Sequence, residues 1–201
     1  DKVRSKHLFQ ASKIPTPDYA VITNREEAAA AARDLGLPLI IKPNSSGSTV
    51  GLTRLESWKD LTKALSRAAA ESSDVLIEQY IKGRELTVAV LDGEALPVVE
   101  IKPKKGLYDY EAKYTKGMSE YTAPARIPED LADSLRRDAI GVYELIGAEG
   151  LARVDFMLDD DGQYYFLELN TLPGMTELSL SPMAARPMGG DHGVRTTPAT
   201  P

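Results

Sequence analysis

Two runs of alternating residues, 151–158 and 164–169, joined by Asp159-Asp-Asp-Gly162, constrain this chain more than any other stretch. Successive side chains of a strand point to opposite faces, and the Asp/Gly joint reads as a hairpin turn. One face then carries Ala152, Val154, Phe156 and Leu158 beside Tyr165, Leu167 and Leu169, and reads as core. The other carries Arg153 and Asp155 beside Phe166, Glu168 and Asn170. A two-residue turn at Asp160-Asp161 pairs Arg153 with Glu168 and Asp155 with Phe166. Two acids, an amide and an arginine on one surface suit a divalent cation. Asp155, Glu168 and Asn170 offer hard oxygen ligands, and Arg153 beside them would offset charge on a transferring phosphoryl group. A solvated polar face with a cross-strand Arg–Glu pair fits the same residues, and the hairpin alone leaves both readings open. The three aspartates do not make an EF-hand loop, which needs a glycine and a glutamate at set offsets and a following helix.

Composition narrows the ion. The chain has no cysteine and two histidines, His7 and His192, so thiolate or His-rich zinc sites are excluded in favour of magnesium or manganese on carboxylates and amides. A net charge of −6 argues against a nucleic-acid partner. No stretch of the sequence reads as a signal peptide or as an apolar run long enough to span a bilayer; the expectation is a cytoplasmic protein with no membrane partner. The 201 residues, 42% of them hydrophobic, suffice for one large domain or two small lobes around a cleft. A start at Asp1 without methionine predicts a piece of a longer protein whose N-terminal portion is absent.

The remaining pattern alternates helices and strands. Residues 1–13 read as a basic amphipathic helix ended by Ile14-Pro-Thr-Pro17. Residues 19–22 form a strand, and Asn24 caps a helix that stops at Gly36. Residues 37–42 form a buried strand, 57–70 a helix capped by Ser57 with Trp58, Leu61 and Leu65 as packing, and 75–79 another strand. Residues 85–91 and 95–101 read as a hairpin about Asp92-Gly93. Residues 102–123 read as a mobile loop or lid, and 128–146 as the longest helix, stopped by Gly147. The fold class is α+β rather than doubly wound. The tail 186–201, rich in glycine and proline, is expected to be disordered.

Other pieces have phosphate-handling chemistry. Lys42 ends an apolar strand and precedes Pro43-Asn-Ser-Ser-Gly-Ser-Thr-Val-Gly51, whose small residues let backbone amides approach phosphate oxygens; taken alone, the stretch reads better as an ordinary hairpin loop. Glu78-Gln-Tyr-Ile81 leaves a strand where backbone groups can meet an adenine edge, and Glu85 can accept ribose hydroxyls; a surface loop with scattered acids is the alternative. Lys113, among three tyrosines in the lid, can reach a phosphate on closure, which would also exclude water. Lys2 alone reads as a solvated residue, and His7 as structural rather than a ligand.

Taken in order, these stretches resemble the D-alanine–D-alanine ligases. The matching pieces are Asp1-Lys-Val-Arg-Ser-Lys6, Ile41-Lys-Pro43 with Gly47-Ser-Thr-Val-Gly51, Val75-Leu-Ile-Glu78, Glu85-Leu-Thr-Val88 and Tyr108-Asp-Tyr-Glu-Ala-Lys-Tyr114. They continue with Arg153-Val-Asp155, Leu167-Glu-Leu-Asn-Thr171, Pro173-Gly-Met-Thr176 and Ser181-Pro-Met-Ala-Ala-Arg186. The resemblance implies the ATP-grasp fold: a central lobe over 1–85 and a C-terminal catalytic lobe over 86–185, with antiparallel sheets holding ATP between them. It implies that Lys2 and Lys42 contact ATP phosphates, that Glu78, Tyr80 and Ile81 hold adenine, that Glu85 holds ribose, and that Lys113 meets the γ-phosphate. By the same resemblance Asp155, Glu168 and Asn170 ligate two magnesium (or manganese) ions, and Arg153 stabilises the acyl-phosphate transition state. The Gly174 amide serves the oxyanion, and Ser179 and Leu180 sit where the second D-alanine carboxylate binds. Ser48 and Tyr114 match residues linking the phosphate loop, the lid and the N-terminal domain.

The implied reaction has two steps. ATP phosphorylates the carboxylate of one D-alanine, and the amine of a second displaces phosphate, giving D-alanyl-D-alanine for peptidoglycan precursor synthesis and so for cell shape. Tyr114 stands where related depsipeptide ligases carry phenylalanine, which argues for the dipeptide. Full-length members of the family are typically homodimers. Two departures are expected to bear on activity: the N-terminal domain is missing, and Pro187-Met-Gly-Gly-Asp191 replaces a closing helix. The alternatives are a truncated nucleotide-binding fragment without turnover, or another ATP-grasp amino-acid or peptide ligase.

Overall fold

A computed structural model describes residues 2–45, 50–104, 118–174 and 180–185. Its two sheets are each built from antiparallel neighbours, and each is covered on one face by helices. The first contains β1 (Tyr19–Ile22), β2 (Leu39–Pro43), β3 (Thr53–Leu55) and β4 (Val75–Gln79), in the order β1-β4-β2-β3. Helices α2 (Arg25–Leu35) and α3 (Leu61–Ala69) lie on it and bury Ala28, Ala32, Leu65 and Ala68 against Leu39, Ile41 and Ile77. The Asn24 side chain accepts the Glu26 amide, as its spacing predicts. The expected serine cap does not form. A 3₁₀ turn, Trp58–Asp60, precedes α3, and Asp60 rather than Ser57 adjoins the helix start. Trp58 is 43% exposed on that turn instead of packed.

The second sheet has the order β10-β9-β5-β7-β8, with β6 also on β5. Its strands are β5 (Gly83–Leu91), β6 (Glu94–Ala95), β7 (Val99–Pro103), β8 (Ser119–Thr122), β9 (Leu151–Asp159) and β10 (Tyr164–Asn170). Helix α4 (Glu129–Ile146) and helix α1 (Lys2–Ala11) cover one face. They enclose a core of Phe9, Leu86, Val88, Leu135, Val154, Phe156 and Phe166, among others. A short helix, α5 (Leu180–Ala185), buries Leu180 and Ala184 against Val99 and Ile101. Gly83 is required where β5 meets β9: a Cβ there would lie 1.9 Å from the Leu158 carbonyl oxygen.

The expected α+β class with antiparallel sheets is what the chain adopts. The single return strand over 95–101 is instead broken into β6 and β7. The register shifts by one residue between Val90–Ala95 and Thr87–Val99, and Pro97, which has no amide to give the ladder, falls in the gap. The expected lid loop over 102–123 is strand at both ends, since Pro103 pairs with Ser119 and Glu100 with Thr122. Its middle, 105–117, lies outside the described residues, as does the tail 186–201.

The β9–β10 hairpin departs twice from the expected register. The turn has three residues, Asp160 to Gly162: Asp159 donates its amide to the Gln163 carbonyl, and Gly162 takes φ +85°. This offset puts Phe166 across from Phe156, in the core at 1% exposure, rather than across from Asp155 on the polar face. A bulge between Phe166 and Glu168 then absorbs one more residue. Beyond it Asp155 faces Glu168, Val154 faces Leu169 and Arg153 faces Asn170. Leu169 packs on the core as expected, whereas Tyr165 pairs with Met157 on the opposite face.

Candidate functional site

Each sheet turns a polar face away from its own core. On the first, Glu78 and Arg54 both pair with Ile40, and Lys42 lies two residues further along β2 on that face. Glu78 is buried at 2% exposure, with Lys42 Nζ 2.5 Å from Oε2 and Lys6 Nζ 2.7 Å from Oε1. Burial alone would push the Glu78 carboxyl up; the ammonium groups of Lys42 and Lys6 more than reverse this and hold it below the ordinary carboxylate value. Burial brings Lys6 down to about 8, with Glu78 opposing the shift and Lys42 adding to it. Just beyond β4 the Arg54 guanidinium stacks 4.0 Å from the Tyr80 ring centroid and reaches its hydroxyl at 3.3 Å.

On the second sheet, one face brings together Glu85, Thr87, Met157, Asp155, Arg153, Glu168 and Asn170 through the cross-strand pairs Glu85–Met157, Thr87–Asp155, Asp155–Glu168 and Arg153–Asn170. The turn and the bulge each shift parity by one. Glu168 and Asn170 therefore share a face with Arg153 and Asp155, as the sequence predicts, by a different register. The expected Arg153–Glu168 cross-strand pair is not what forms. Arg153 instead grips Asp155, two residues along its own strand, with Nε 2.8 Å from Oδ1 and a terminal nitrogen 2.7 Å from Oδ2. Thr87 Oγ1 donates to Asp155 Oδ1 at 2.6 Å, and the Asn170 side-chain oxygen accepts the Leu172 amide at 3.0 Å.

Helix α1 touches both polar faces. Lys2 Nζ lies 3.8 Å from Glu168 Oε2, the Val3 amide donates to Asn44 Oδ1 beyond β2, and Lys6 reaches Glu78. Lys2, read alone as a solvated residue, is thus placed beside an acid of the hairpin. His7 is exposed, with its ring centroid 6.3 Å from that of Tyr19.

The donors that converge on the second sheet, two carboxylates and an amide oxygen, have the hardness that magnesium or manganese requires. Among the described residues no group of three or more His, Cys, Asp or Glu side chains is gathered tightly enough to enclose an ion unaided. Gly174 is exposed at the end of a described stretch, whereas the Leu180 side chain is 4% exposed inside an apolar cluster. Ser48, Lys113, Tyr114 and Ser179 lie outside the described residues.

Two residues here escaped the sequence reading. Thr87 carries a signal that was available, since it lies two residues past Glu85 on the same strand face. Lys6 reads as one more basic residue of a surface helix, yet it is 0% exposed.

Comparison with known proteins follows the same outline. Residues 8–193 match the family model described as D-ala D-ala ligase C-terminus. A D-alanine–D-alanine ligase of Dechloromonas aromatica is 41% identical over 192 residues, which are 96% of this chain and 64% of that protein. The chain therefore spans a little under two thirds of the length of that relative. The crystal structure of the VanG D-Ala:D-Ser ligase from Enterococcus faecalis is similar with a TM-score of 0.82 at 32% identity, over 94% of this chain and 57% of that one. The Bacillus anthracis D-alanine–D-alanine ligase complexed with ATP gives a TM-score of 0.78 at 34% identity, over 94% and 61% of the two chains.

Proposed function

This chain belongs to the family of D-ala D-ala ligase C-terminal domains, and we propose that it is the nucleotide- and metal-binding part of a cytoplasmic enzyme that joins two D-alanines at the expense of ATP. The observation that carries the proposal is the Asp155–Glu168 pair, set with Asn170 and Arg153 on one sheet face within reach of Lys2. A core has no use for such a face, and a triphosphate with its cations does. We take the two sheets with their covering helices as the two lobes, with α1 bridging them; the expected boundary at 85/86 falls inside β5, which joins the second sheet from Gly83 onward.

In this reading Lys2 and Lys42 bind the triphosphate. Glu78, with Tyr80 and Ile81, holds the adenine, and Glu85 the ribose. Asp155, Glu168 and Asn170 would hold two magnesium or manganese ions, which supply charge neutralisation on the phosphates. Arg153, beside Asp155, would offset charge as the γ-phosphoryl group passes from ATP to the carboxylate of the first D-alanine, with ADP leaving, and as the second amine attacks the acyl phosphate and expels inorganic phosphate. Lys113, Ser48 and Tyr114 are assigned to the γ-phosphate and to the closure of the site, the Gly174 amide to the oxyanion, and Ser179 and Leu180 to the second D-alanine carboxylate. Because the Leu180 side chain is buried, its part falls to the backbone. The product is D-alanyl-D-alanine for peptidoglycan precursors, and the full-length protein is a homodimer.

Calorimetric titration of the chain with ATP, with and without magnesium, tests the reading. Magnesium-dependent binding is expected, and none at millimolar ATP would overturn it. D-Alanine-dependent phosphate release from the full-length parent, with D-serine and D-lactate as competitors and product masses measured, tests the reaction. Failure to form D-alanyl-D-alanine would reject the substrate assignment.

A further inference from the structure

Glu78 carries two cations, and they are not equivalent. Lys42 holds Oε2 and keeps 9% of its side chain exposed, at the end of β2 where the chain enters the loop beyond Pro43. Lys6 holds Oε1 with none of its side chain exposed, and it hydrogen-bonds Thr16 Oγ1 at 2.5 Å. The Thr16 hydroxyl in turn donates to the Phe166 carbonyl at 2.8 Å, beside the bulge that precedes Glu168. Lys42 therefore has a route toward solvent and ligand, whereas Lys6 is fixed at both ends.

We propose that Lys6 is a positioning residue for nucleotide recognition. It is the resident counter-ion of Glu78, held by Thr16, and it keeps that carboxylate ionised and aimed when Lys42 turns to a phosphate. The inference rests on the reading above, in which Glu78 accepts from the adenine amino group and Lys42 binds the triphosphate. With Lys6 on Oε1 and Lys42 2.5 Å from Oε2, an adenine amino group approaching Glu78 competes with Lys42 for the side of Oε2. The division of oxygens resolves the conflict, because Oε2 becomes available when Lys42 moves while Oε1 stays with Lys6. A buried carboxylate stripped of both cations would take up a proton or turn away.

The test compares the intact chain's affinity for ATP, for inosine triphosphate (a carbonyl in place of the 6-amino group) and for inorganic tripolyphosphate. Lys6→Met is expected to lower the ATP-to-inosine-triphosphate ratio about tenfold, the size of a lost charge-assisted hydrogen bond, with tripolyphosphate affinity held within about threefold. Lys6→Arg should restore most of the ratio. A Lys6 that serves stability alone would lower the melting temperature and leave the ratio untouched, and that result would overturn the proposal. If Lys6→Met does not fold, Thr16→Val takes its place. Loosening the ammonium should lower the ratio about threefold, and an unchanged ratio sinks the proposal. Glu78→Gln separates the two levels. If the wild-type ratio is one, or if Glu78→Gln leaves it unaltered, the adenine assignment fails and this inference fails with it. If Glu78→Gln changes the ratio and neither Lys6→Met nor Thr16→Val does, the role of Lys6 alone is rejected.

Discussion

Glu168 lies directly across the ladder from Asp155, although Phe166, two residues before it, lies across from Phe156, the immediate neighbour of Asp155. The extra residue is taken up at the bulge, so one strand delivers an aromatic ring to the core and, a step later, an acid to the opposite face. That separation of duties can be measured from both sides.

From the core side, Phe166 packs 4.6 Å from the Phe156 ring and 5.6 Å from Phe9. Truncation to alanine should cost about 3–5 kcal/mol, read by urea unfolding. Were Phe166 on the polar face, Phe166→Ala would be nearly neutral, so a cost below about 1 kcal/mol contradicts the register.

From the polar side, Glu168→Gln should abolish the magnesium dependence of ATP binding while the unfolding free energy stays within about 1 kcal/mol, because the ion pair with Lys2 is long and partly exposed. Equal ATP affinity with and without magnesium is the expected calorimetric signature. Magnesium dependence preserved at its wild-type strength would remove Glu168 from the ligand set.

Thr87 is expected to matter although it makes no metal contact in the proposed site. Its hydroxyl donates to Asp155 Oδ1 at 2.6 Å, with the Val154 carbonyl a longer alternative acceptor at 3.1 Å for the same proton. Thr87→Val should weaken magnesium-dependent nucleotide binding by about 10- to 100-fold, the range for residues that orient a metal ligand, and Thr87→Ser should recover most of it. Equal losses in the two variants would show that the hydroxyl is not what counts.

Glu78 sets an acid limit on stability. Its folded carboxyl titrates below the ordinary value of 4.5, so at falling pH the unfolded chain takes up the proton first. The stabilisation from this group is therefore complete above about pH 4.5 and is lost as pH falls through the folded value. Melting temperatures measured from pH 6 to pH 3 should decline, and Glu78→Gln should flatten that decline. At neutral pH the same variant should be less stable by about 3–5 kcal/mol, since it leaves Lys6 and Lys42 without their buried partner. An undiminished slope in Glu78→Gln would assign the acid limit to other carboxylates.

The α+β class and the acidic hairpin were legible because they rest on local alternation, on helix caps such as Asn24 and on turn residues such as Gly147 and Gly162, whereas the order of the strands in the two sheets was not. The register of the hairpin was not. Asp159-Asp-Asp-Gly162 admits loops of two or three residues, and a bulge in Phe166-Leu-Glu168 leaves no mark in a pattern where Leu167 reads as one more apolar position. The surviving prediction, Asp155 and Glu168 on one face, holds because two shifts of one residue restore parity. Lys6 and Thr87 were hidden for another reason: their partners stand 72 and 68 positions away, and nothing local distinguishes a buried lysine on a basic helix from an exposed one. Pro97 shows the reverse case: its missing donor is a local signal for the break between β6 and β7, which the expected strand over 95–101 ran across.

Strand β10 is the rim of the second sheet, and a rim with open peptide groups is a template on which a foreign strand can zip. At Phe166 both outward groups are already engaged: its amide donates to the Pro15 carbonyl at 2.8 Å, and its carbonyl receives the Thr16 hydroxyl. The connector leaving α1 thus works as a selvedge, sealing the border at its midpoint against fibril-like growth through that side.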